Sequence, residues 1–559
     1  MAISRRRFLT SVVPASVLAA VAAPELLTAN MASAASAPGD VVGKITVGYQ
    51  GWFACIGDGA PINGWWHWSQ NWSQPPSPSN NALKAWPDMT SYSSRYQTAY
   101  ASLGNGQPAT LFSSYDQQTV NTHFQWMQQN GCDTAALQRF DPNGSEGPTR
   151  NAITAKVRSA AEAYSRKFYI MYDASGWTNM QSEMPADWTA NMAQYTSSPA
   201  YAHQDGKPVV GIWGFGFNDS NHPWSAAACL EVVNWFQSQG CYVMGGVPTY
   251  WRTGVSDSRP GYLGTYHAFN MLSPWMVGRI GTAADSDSFY ANVNVADQAD
   301  CNANGIDYQP CVLPGDLSAR QRAHGDFMWR QLYNMVRVGA QGIYISMFDE
   351  FGEGNQIAET APDSSMVPTN SGLLALNEDG TACSSDYYLR LTADGGRMLK
   401  GQIALTATRP TPPTMTTPPP NSDLALNRPS SASGYTQTYQ PSNAVDGNTS
   451  TYWESTDNAF PQWFQVDLGT AASISRIVMD LPPSPAWGAR TQTLEIQGST
   501  DGSAFTTIAG SHGYTFDPAT GNTATATFAA TAVRYVRLTF TANSGWPAGQ
   551  LSELQVFAS

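Results

Sequence analysis

Apolar runs and amphipathic stretches alternate along residues 41–407, and this pattern indicates strands followed by helices. Strand-like runs fall at 44–49, 134–140, 168–172, 208–213, 242–247 and 343–348. Helical periodicity lies at 121–130, 152–164, 226–237 and 326–338. Strand–helix alternation over this length favours a parallel sheet closed into a (β/α)8 TIM-like barrel, an α/β fold.

Residues 423–559 follow a different pattern, with short alternating runs at 463–468, 475–480, 493–498 and 533–540. Gly, Pro, Asn and Asp turns separate the runs, and helical periodicity is missing. The pattern predicts an all-β antiparallel sandwich. Between the two regions, residues 408–422 read TRPTPPTMTTPPPNS. Such a Pro/Thr tract predicts a semi-rigid linker between a domain at 41–407 and one at 423–559.

The N-terminus has the organisation of an export signal. Arg5, Arg6 and Arg7 precede an apolar stretch at 12–23, and Ala-Ser-Ala at 32–34 offers a cleavage site. The pattern resembles a twin-arginine signal peptide, here 1–34. The apolar stretch is too short for a membrane span. We therefore expect a secreted, extracellular protein that is exported folded by the twin-arginine route.

Composition narrows the class of partner. The 559 residues carry a formal net charge of −13, and 12% of them are aromatic. An acidic chain disfavours nucleic acid and an anionic membrane, whereas a neutral polysaccharide is compatible with it. The oligomeric state stays open. Among the seven cysteines, the close pairs Cys229–Cys241 and Cys301–Cys311 are expected disulfides in an exported protein, and no zinc motif occurs.

Two glutamates follow the apolar run at 343–348. Glu350 and Glu353 are three positions apart in a glycine-rich loop. Carboxylates at the C-terminal end of a barrel strand are usually catalytic, and a close pair of them is the usual equipment for breaking a glycosidic bond. An acidic turn or a calcium loop is the alternative interpretation. We predict that this pair is catalytic without a cofactor, and the residues themselves leave open which is acid and which is base.

Further polar and aromatic residues follow the predicted strands. We expect substrate contacts from Asp58, Trp66, His67, Trp68, Asp116 and Asp173. The aromatic residues could stack on a pyranose ring, and the aspartates could bind its hydroxyl groups. Core packing is the alternative for the aromatic residues, and a capping or turn role is the alternative for the aspartates.

Residues 350–359, EFGEGNQIAE, resemble the E-W-H-E-G-T-Q-I-E-P motif of glycoside hydrolase family 99. Weaker similarity covers 57–68, 114–133 and 326–329. The resemblance implies a (β/α)8 barrel and a retaining endo-α-mannosidase, related to the α-1,3-glucanases of family 71. Phe351 and Gly352 replace the family's Trp-His, so the sugar stays open.

The resemblance also implies a mechanism. In family 99, one glutamate takes the proton from the substrate's 2-hydroxyl, which closes onto C1 as a 1,2-anhydro sugar. The other glutamate protonates the leaving oxygen. Matched by position, Glu350 would be the base and Glu353 the acid. The residues alone are equally consistent with a conventional attack by water.

The C-terminal region resembles the discoidin, or factor 5/8 type C, jelly roll, close to family 32 carbohydrate-binding modules. The segments 425–429, 443–453 and 462–469 carry this resemblance. It implies a structural calcium ion at four oxygen-bearing residues, Asp446, Asn448, Thr451 and Glu553. Trp487, Arg490 and Trp546 lie in predicted loops and are the expected sugar-binding residues, with turn packing as the alternative.

Together these observations predict a secreted glycoside hydrolase with a carbohydrate-binding module. Its expected substrate is an α-linked, α-mannan-like polysaccharide or glycan, and its expected action is internal and retaining. Three alternatives stand beside this prediction. They are an α-1,3-glucanase like family 71, a non-catalytic polysaccharide-binding protein, and an adhesion protein acting through the discoidin-like domain.

Overall fold

The computed structural model describes residues 36–414 and 423–558, so the predicted signal peptide and most of the predicted linker lie outside it. The described residues form two separate hydrophobic cores. One extends from Val41 to Met398 and the other from Ala425 to Val556. Each core belongs to one of the two predicted folds.

Eight parallel strands form the first domain. They are β1 (Ile45–Tyr49), β2 (Thr134–Arg139), β3 (Lys167–Asp173), β4 (Lys207–Trp213), β5 (Tyr242–Val247), β6 (Met271–Pro274), β7 (Asp307–Tyr308 and Cys311–Val312) and β8 (Ile343–Ile345). Each strand pairs with the next. The first half of β7 pairs with β6, its second half pairs with β8, and β8 pairs with β1. The ring is closed, and the predicted (β/α)8 barrel is confirmed.

Helices cover the outside of the barrel. They are α1 (Gln117–Gln129), α2 (Gly147–Ala163), α3 (Met180–Asp187), α4 (Ala226–Ser238), α5 (Leu263–Tyr266), α6 (Ala283–Phe289), α7 (Val295–Asn304), α8 (Asp326–Val338) and α9 (Tyr387–Leu399). The predicted bounds of α8 are correct because Gly339, with φ of 87°, ends the helix in a left-handed conformation. Within the described residues, no helix is long and apolar enough to cross a membrane.

Large side chains fill the interior of the barrel. Every residue of β1, β2, β5 and β8 is buried, as expected for parallel strands covered on both faces. A β-carbon at Gly48 would lie 2.5 Å from the Tyr344 hydroxyl and 2.3 Å from the Met347 sulfur. Position 48 therefore has no room for a side chain, as expected for a packed barrel interior.

The N-terminal end of the barrel is closed by the first described residues. The Asp40 amide donates to the carbonyl of His203 at 3.1 Å, and the His203 amide donates to the Asp40 carboxylate at 2.8 Å. The amide of Val42 donates to the Gln204 side chain at 3.2 Å. These bonds tie the chain across the strand starts, and the active sites of barrels lie at the opposite, C-terminal end, here called the mouth.

The predicted disulfides are wrong. All seven cysteines, which lie in the described part of the chain, are buried free thiols. Cys229 is in the first turn of α4 and Cys241 lies beyond its end. The Cys241 amide donates to the carbonyl of Phe236, and seven residues of helical rise place Phe236 about 10 Å along the axis from Cys229, whereas a disulfide spans at most about 7 Å between Cα atoms. Cys301 lies in the outer helix α7, while Cys311 lies in the barrel strand β7.

The second domain is antiparallel, as predicted. Its strands are β9 (Ser430–Ala432), β10 (Trp453–Glu454), β11 (Gln462–Asp480), β12 (Arg490–Ser499), β13 (Thr506–Phe516), β14 (Thr523–Asn543), β15 (Gln550–Leu551) and β16 (Glu553–Ala558). The main sheet has the order β9-β11-β14-β12-β13, with β16 also on β11, and β10 pairs with β15. Register shifts bend the long β11–β14 ladder, which lets it curve around the core.

The first residues of the predicted linker contact the barrel domain. Arg409 forms a 2.8 Å ion pair with Asp326 on α8. The Thr411 hydroxyl donates to Asp394 on α9 at 2.7 Å. The chain therefore remains bound to the barrel domain as far as Pro413, whose carbonyl accepts an amide hydrogen bond. The Pro/Thr composition that set the predicted boundary at residue 408 therefore extends into the docked segment.

Candidate active site

The ends of the first and last barrel strands are tied together at the mouth. Asp349, which follows β8, is fully buried. Its carboxylate accepts the backbone amides of Gln50 at 2.8 Å and Gly51 at 2.9 Å, and both of these residues follow β1. Burial nevertheless raises the pKa of Asp349 to about 7. The contact between the loops after β1 and β8 thus depends on Asp349, a carboxyl that the sequence analysis did not select.

Glu350 lies beside this carboxyl, and only 4% of its surface is exposed. Its Oε2 accepts a hydrogen bond from the side-chain amide of Gln50 at 2.8 Å. Burial, followed by the nearby Glu353 and Asp349 carboxyls, raises the pKa of Glu350 well above its usual range. A carboxyl in this environment keeps a proton at pH values where an exposed glutamate has lost it.

Glu353 has a different environment on the same loop. The residue is exposed, although the surrounding protein desolvates its carboxyl enough to raise the pKa. The Lys84 ammonium and the Asn355 side chain oppose that rise. Lys84 itself is held by a 2.8 Å ion pair with Asp316. The loop therefore presents one deep and one open carboxyl, and paired acids of opposite function need such unequal environments.

A buried arginine fixes the shape of this loop. The guanidinium of Arg322 donates to the carbonyls of Gly354 and Gln356, both at 2.8 Å. Gly354 has φ of 74°, and a β-carbon there would lie 2.9 Å from Asp316. Only glycine fits this turn without strain. The loop conformation that separates the two glutamates is therefore set from outside the loop.

The two departures from the family motif have different consequences. Phe351 is fully buried and packs against Phe53, Trp68 and Phe112. It makes no surface for a substrate. At Gly352, a β-carbon would lie 3.1 Å from Oε1 of Glu350. The missing side chain at this position leaves space directly beside Glu350.

Two of the aromatic residues expected to contact substrate pack in the core. Trp66 and Trp68 have no exposed surface. The indole N–H of Trp68 donates to the carbonyl of Phe112 at 2.8 Å, and that of Trp66 donates to Glu146 at 3.2 Å. With both ring faces covered, neither residue can stack on a sugar in this structure.

His67 belongs to a stack that extends toward the mouth. Its ring lies 3.7 Å from that of Trp52, with 13° between the planes. Trp52 also stacks with Phe140, 5.7 Å away. Burial and the nearby Arg150 lower the pKa of His67 to about 3, so its ring is neutral. Trp52 and Phe140 follow β1 and β2 directly, and both are half-buried.

Trp213 and Trp275 occupy the opposite part of the mouth. Trp213 ends β4, Trp275 follows β6, and their rings are 5.4 Å apart and half-buried. The sequence-based search missed these two residues and Trp52. An aromatic residue at or just after the end of a predicted strand could have indicated them. Trp213 does lie at the end of the predicted strand 208–213.

Asp58 and Asp116 have partners within their own loops. Asp58 accepts the backbone amides of Cys55 at 2.8 Å and Ala60 at 2.7 Å, and the Ser113 hydroxyl at 2.6 Å. These bonds define a turn. Asp116 accepts the Tyr96 hydroxyl at 3.0 Å, and desolvation raises its pKa.

Asp173 ends β3 and is held by a polar chain. Its carboxylate accepts the Ser175 amide at 2.8 Å. The Ser175 hydroxyl is 3.0 Å from His222, which is 2.7 Å from Asp219. This is the order of a Ser–His–Asp triad. However, the amides of Ser175 and Gly176 are engaged and the Asp219 side chain is 48% exposed, so no oxyanion hole forms there. These hydrogen bonds orient the Asp173 carboxyl. Burial raises the pKa of this carboxyl.

The three expected sugar-binding residues of the second domain meet at one end of the sandwich. Arg490 donates to the side chain of Gln550 at 2.8 Å and to the carbonyl of Trp487 at 2.7 Å. Gln550 in turn donates to Glu454 at 2.6 Å. Trp546 hydrogen-bonds Glu454 and is 46% exposed.

Aromatic residues that sequence reasoning missed complete this surface. Tyr452 meets the Trp487 ring edge-on at 4.7 Å and stacks with Tyr439 at 4.3 Å. Both tyrosines are half-buried. The surface thus combines open aromatic rings with a fixed set of donors and acceptors, which is the composition of a sugar site.

The four residues expected to hold calcium also come together. The Thr451 hydroxyl donates to Asp446 at 2.8 Å, and the Asn448 amide donates to Asp446 and Glu553, both at 2.9 Å. Burial and the facing Asp446 carboxyl raise the pKa of Glu553 to about 9. Two facing carboxyls with hydroxyl and amide oxygens fit Ca²⁺. No group of three or more His, Cys, Asp or Glu side chains suited to a metal occurs in 36–414 or 423–558.

Comparison with known proteins identifies the second domain. Residues 429–554 match the family model of the F5/8 type C domain. Two chitosan-binding modules of a chitosanase/glucanase from Paenibacillus sp. IK-5 are similar in structure. Module 2, in complex with chitotriose, is 30% identical, with coverage of 24% of this chain and 100% of that chain and a TM-score of 0.20. Module 1 is 29% identical, with coverage of 25% and 100% and a TM-score of 0.22.

The barrel domain is similar to the GH99 endo-alpha-mannosidase from Bacteroides thetaiotaomicron. The identity is 15%, the match covers 65% of this chain and 98% of that chain, and the TM-score is 0.47. No curated protein matches the chain.

Proposed function

We propose that this chain, whose residues 429–554 form an F5/8 type C domain, is a secreted glycoside hydrolase that cleaves an α-linked, α-mannan-like polysaccharide or glycan internally and with retention. One observation carries the proposal. Glu350 and Glu353 lie on one loop at the open mouth of the barrel, the first buried and the second exposed, and both have a raised pKa.

This arrangement suits cleavage of a glycosidic bond. One carboxyl must protonate the leaving oxygen while the other, ionised, takes a proton or stabilises positive charge. Because both pKa values are raised, the pair retains a proton at a higher pH than two exposed glutamates would. The half-buried rings of Trp213 and Trp275 can support sugar rings around the pair.

The two glutamates differ in how strongly they hold the proton. Glu350 is deeper and faces two carboxyls, while the Lys84 ammonium favours ionised Glu353. In the substrate-free protein Glu350 therefore holds its proton more strongly than Glu353, which suits Glu350 as the acid. The resemblance to family 99 assigns Glu350 as the base instead. The pH profile of kcat/KM in a Gln50→Met variant distinguishes the two assignments.

The test is substitution of each carboxyl by its amide. Glu350→Gln and Glu353→Gln should each lower reducing-end release by about 10²–10⁴-fold, because each removes a proton-transferring group. Suitable substrates are α-mannan, α-1,3-glucan and β-glucan. Glu231→Gln, on the exposed face of α4, is the matched control and should keep full activity. Normal activity in both active-site variants would contradict the proposal and direct attention to Asp173.

The substrate's 2-hydroxyl tests the chemical route. In the anhydro-sugar route this hydroxyl is the nucleophile, so a 2-deoxy or 2-fluoro substrate should not turn over and should leave no covalent adduct. A glycosyl ester trapped on Glu350 would show that a carboxylate attacks directly. Release from α-1,3-glucan but not from α-mannan would favour the family 71-like alternative.

A further inference from the structure

We propose, on the basis of the proposed hydrolase function, that Gln50 acts in the reaction at Glu350. Its side-chain N–H positions the Glu350 carboxyl, and its Oε1 accepts a hydrogen bond from a sugar hydroxyl beside the scissile bond. Gln50 would therefore be both a positioning residue and a substrate-binding residue at the end of β1.

The side chain of Gln50 is anchored at two points. Its backbone amide donates to Asp349 at 2.8 Å, and its Nε2 donates to Glu350 at 2.8 Å. Asp349 and Glu350 are consecutive, so one dipeptide holds both the main chain and the side chain of Gln50. The amide plane is thereby fixed, and so is the direction in which its other atom, Oε1, points.

Oε1 of Gln50 is buried and has no hydrogen-bond partner. A buried polar atom without a partner is destabilising, so such an atom beside a reactive group calls for an explanation. A sugar hydroxyl near Glu350 would supply the missing donor. The alternative partner is a water molecule shared with the nearby Arg139, whose Nη1 also lacks a partner.

The N–H of Gln50 opposes the other influences on Glu350. Burial and the Glu353 and Asp349 carboxyls favour the protonated form, whereas a donated hydrogen bond favours the ionised form. The remaining charged groups nearby, Lys84 and Asp316, form an ion pair beside Glu353. Gln50 follows β1 and Glu350 follows β8, so the hydrogen bond crosses between the first and last strands of the barrel. It stabilises the ionised form of the Glu350 carboxyl.

Gln50→Met is the direct test because methionine preserves the volume and removes both polar atoms. The pKa of Glu350 should rise, so the limb of the kcat/KM pH profile that Glu350 controls should move up by about one pH unit. A shift of the acidic limb identifies Glu350 as the base, and a shift of the basic limb identifies it as the acid. KM should also rise, by about 10-fold, for loss of the sugar contact.

Gln50→Glu separates the two roles. It keeps an oxygen acceptor but replaces the N–H donor and adds a like charge beside Glu350. We expect a larger upward shift of the same limb with a smaller change in KM than in Gln50→Met. If Gln50→Met does not fold, Gln50→Asn provides the second test, because the shortened side chain withdraws from Glu350 while the backbone bond to Asp349 remains.

Gln309 offers a matched control at the closed end of the barrel. It is fully buried, its Oε1 also lacks a partner, and its Nε2 donates to the Thr46 hydroxyl at 3.2 Å. Gln309→Met should lower the melting temperature without moving either limb of the pH profile. A pH profile and KM unchanged in folded Gln50→Met, with Glu350→Gln inactive, would overturn the inference but leave the hydrolase proposal intact. Normal activity in Glu350→Gln would refute the hydrolase proposal itself.

Discussion

Gly352 shows how one missing side chain can shape a catalytic site. A β-carbon at this position would lie 3.1 Å from Oε1 of Glu350 and 3.4 Å from the carbonyl of Ala82. The first distance is tighter than ordinary contact, so any side chain here must displace the Glu350 carboxyl. Glycine at this position therefore determines where the Glu350 carboxyl can lie.

We predict that Gly352→Ala lowers kcat by about 10-fold while the protein stays folded. A displacement of a few tenths of an ångström disturbs the alignment that the reaction needs. Enzyme kinetics and a thermal melt measured together would check this. Gly176→Ala makes no new contact and serves as a control for stability, since its φ of 68° strains the backbone alone. A Gly352→Ala variant with unchanged kcat would contradict the prediction.

Glu553 illustrates how a buried carboxyl makes stability depend on pH. Its pKa is about 9 in the folded domain, against 4.5 for an exposed glutamate. Between these values the folded state binds more protons than the unfolded state. The stability contribution is therefore present below pH 4.5 and falls as the pH rises toward 9.

We predict that the calcium-free domain loses stability over this range and that Ca²⁺ restores it, because the cation favours the ionised carboxyls of Glu553 and Asp446. The melting temperature should be measured with Ca²⁺ and with chelator from pH 5 to pH 9. Glu553→Gln should reduce the pH dependence, and the part that remains should come from other buried carboxyls such as Asp423, whose pKa burial raises to about 7. Loss of activity on small soluble substrates in chelator would contradict a purely structural role for the ion.

At the scale of elements, the loop after β8 depends on the segment before α8. Arg322 is 2% exposed and donates to the carbonyls of Gly315, Gly354 and Gln356. Its guanidinium also lies 4.4 Å from the centre of the Tyr388 ring on α9. One side chain thus joins three parts of the barrel domain, and the catalytic loop is one of them.

We predict that Arg322→Met lowers the free energy of unfolding by about 3 kcal/mol, because it leaves buried carbonyls without donors. Activity should fall as well, since Gly354 lies next to Glu353. Denaturant unfolding and kinetics would measure the two effects. Arg330→Met, at a half-exposed position on α8, is the control and should change stability by less than about 1 kcal/mol.

At the scale of the whole molecule, the boundary between the domains decides how the protein can be divided. The segment ending at Pro413 is docked on the barrel by Arg409 and Thr411. Cutting before this segment removes contacts of the first domain, whereas cutting after it removes only the second domain. A truncation before this segment therefore tests the stability of the first domain, and a truncation after it tests the contribution of the second domain.

We predict that the mature chain ending at Pro413 folds and keeps its activity on soluble oligosaccharides. It should lose activity mainly on insoluble polymer, because a binding module raises the effective concentration of the enzyme only at a surface. A chain ending at Thr408 should melt about 2–5 °C lower. Equal loss on soluble and insoluble substrates by the longer truncation would show that the second domain contributes to catalysis.

The sequence by itself determined the architecture. The spacing of apolar residues separates the strand–helix alternation of the first domain from the short alternating strands of the second. It does so because the spacing in each element follows from the face that the element buries. The same pattern placed Glu350 and Glu353 at the end of β8. It missed β6 and β7 because runs of two to four residues, one interrupted by Pro310, are too short to show a period.

Only the tertiary structure decided which residues meet. It buried Trp66 and Trp68, kept Cys229 and Cys241 apart, and joined Gln50 to Glu350 across 300 positions of sequence. The periodicity of a segment indicates which of its faces is buried. It does not indicate which other segment covers that face. The closure of the barrel brings β1 beside β8, and that contact supplies the hydrogen bonds that Asp349 and Glu350 accept from Gln50 and Gly51.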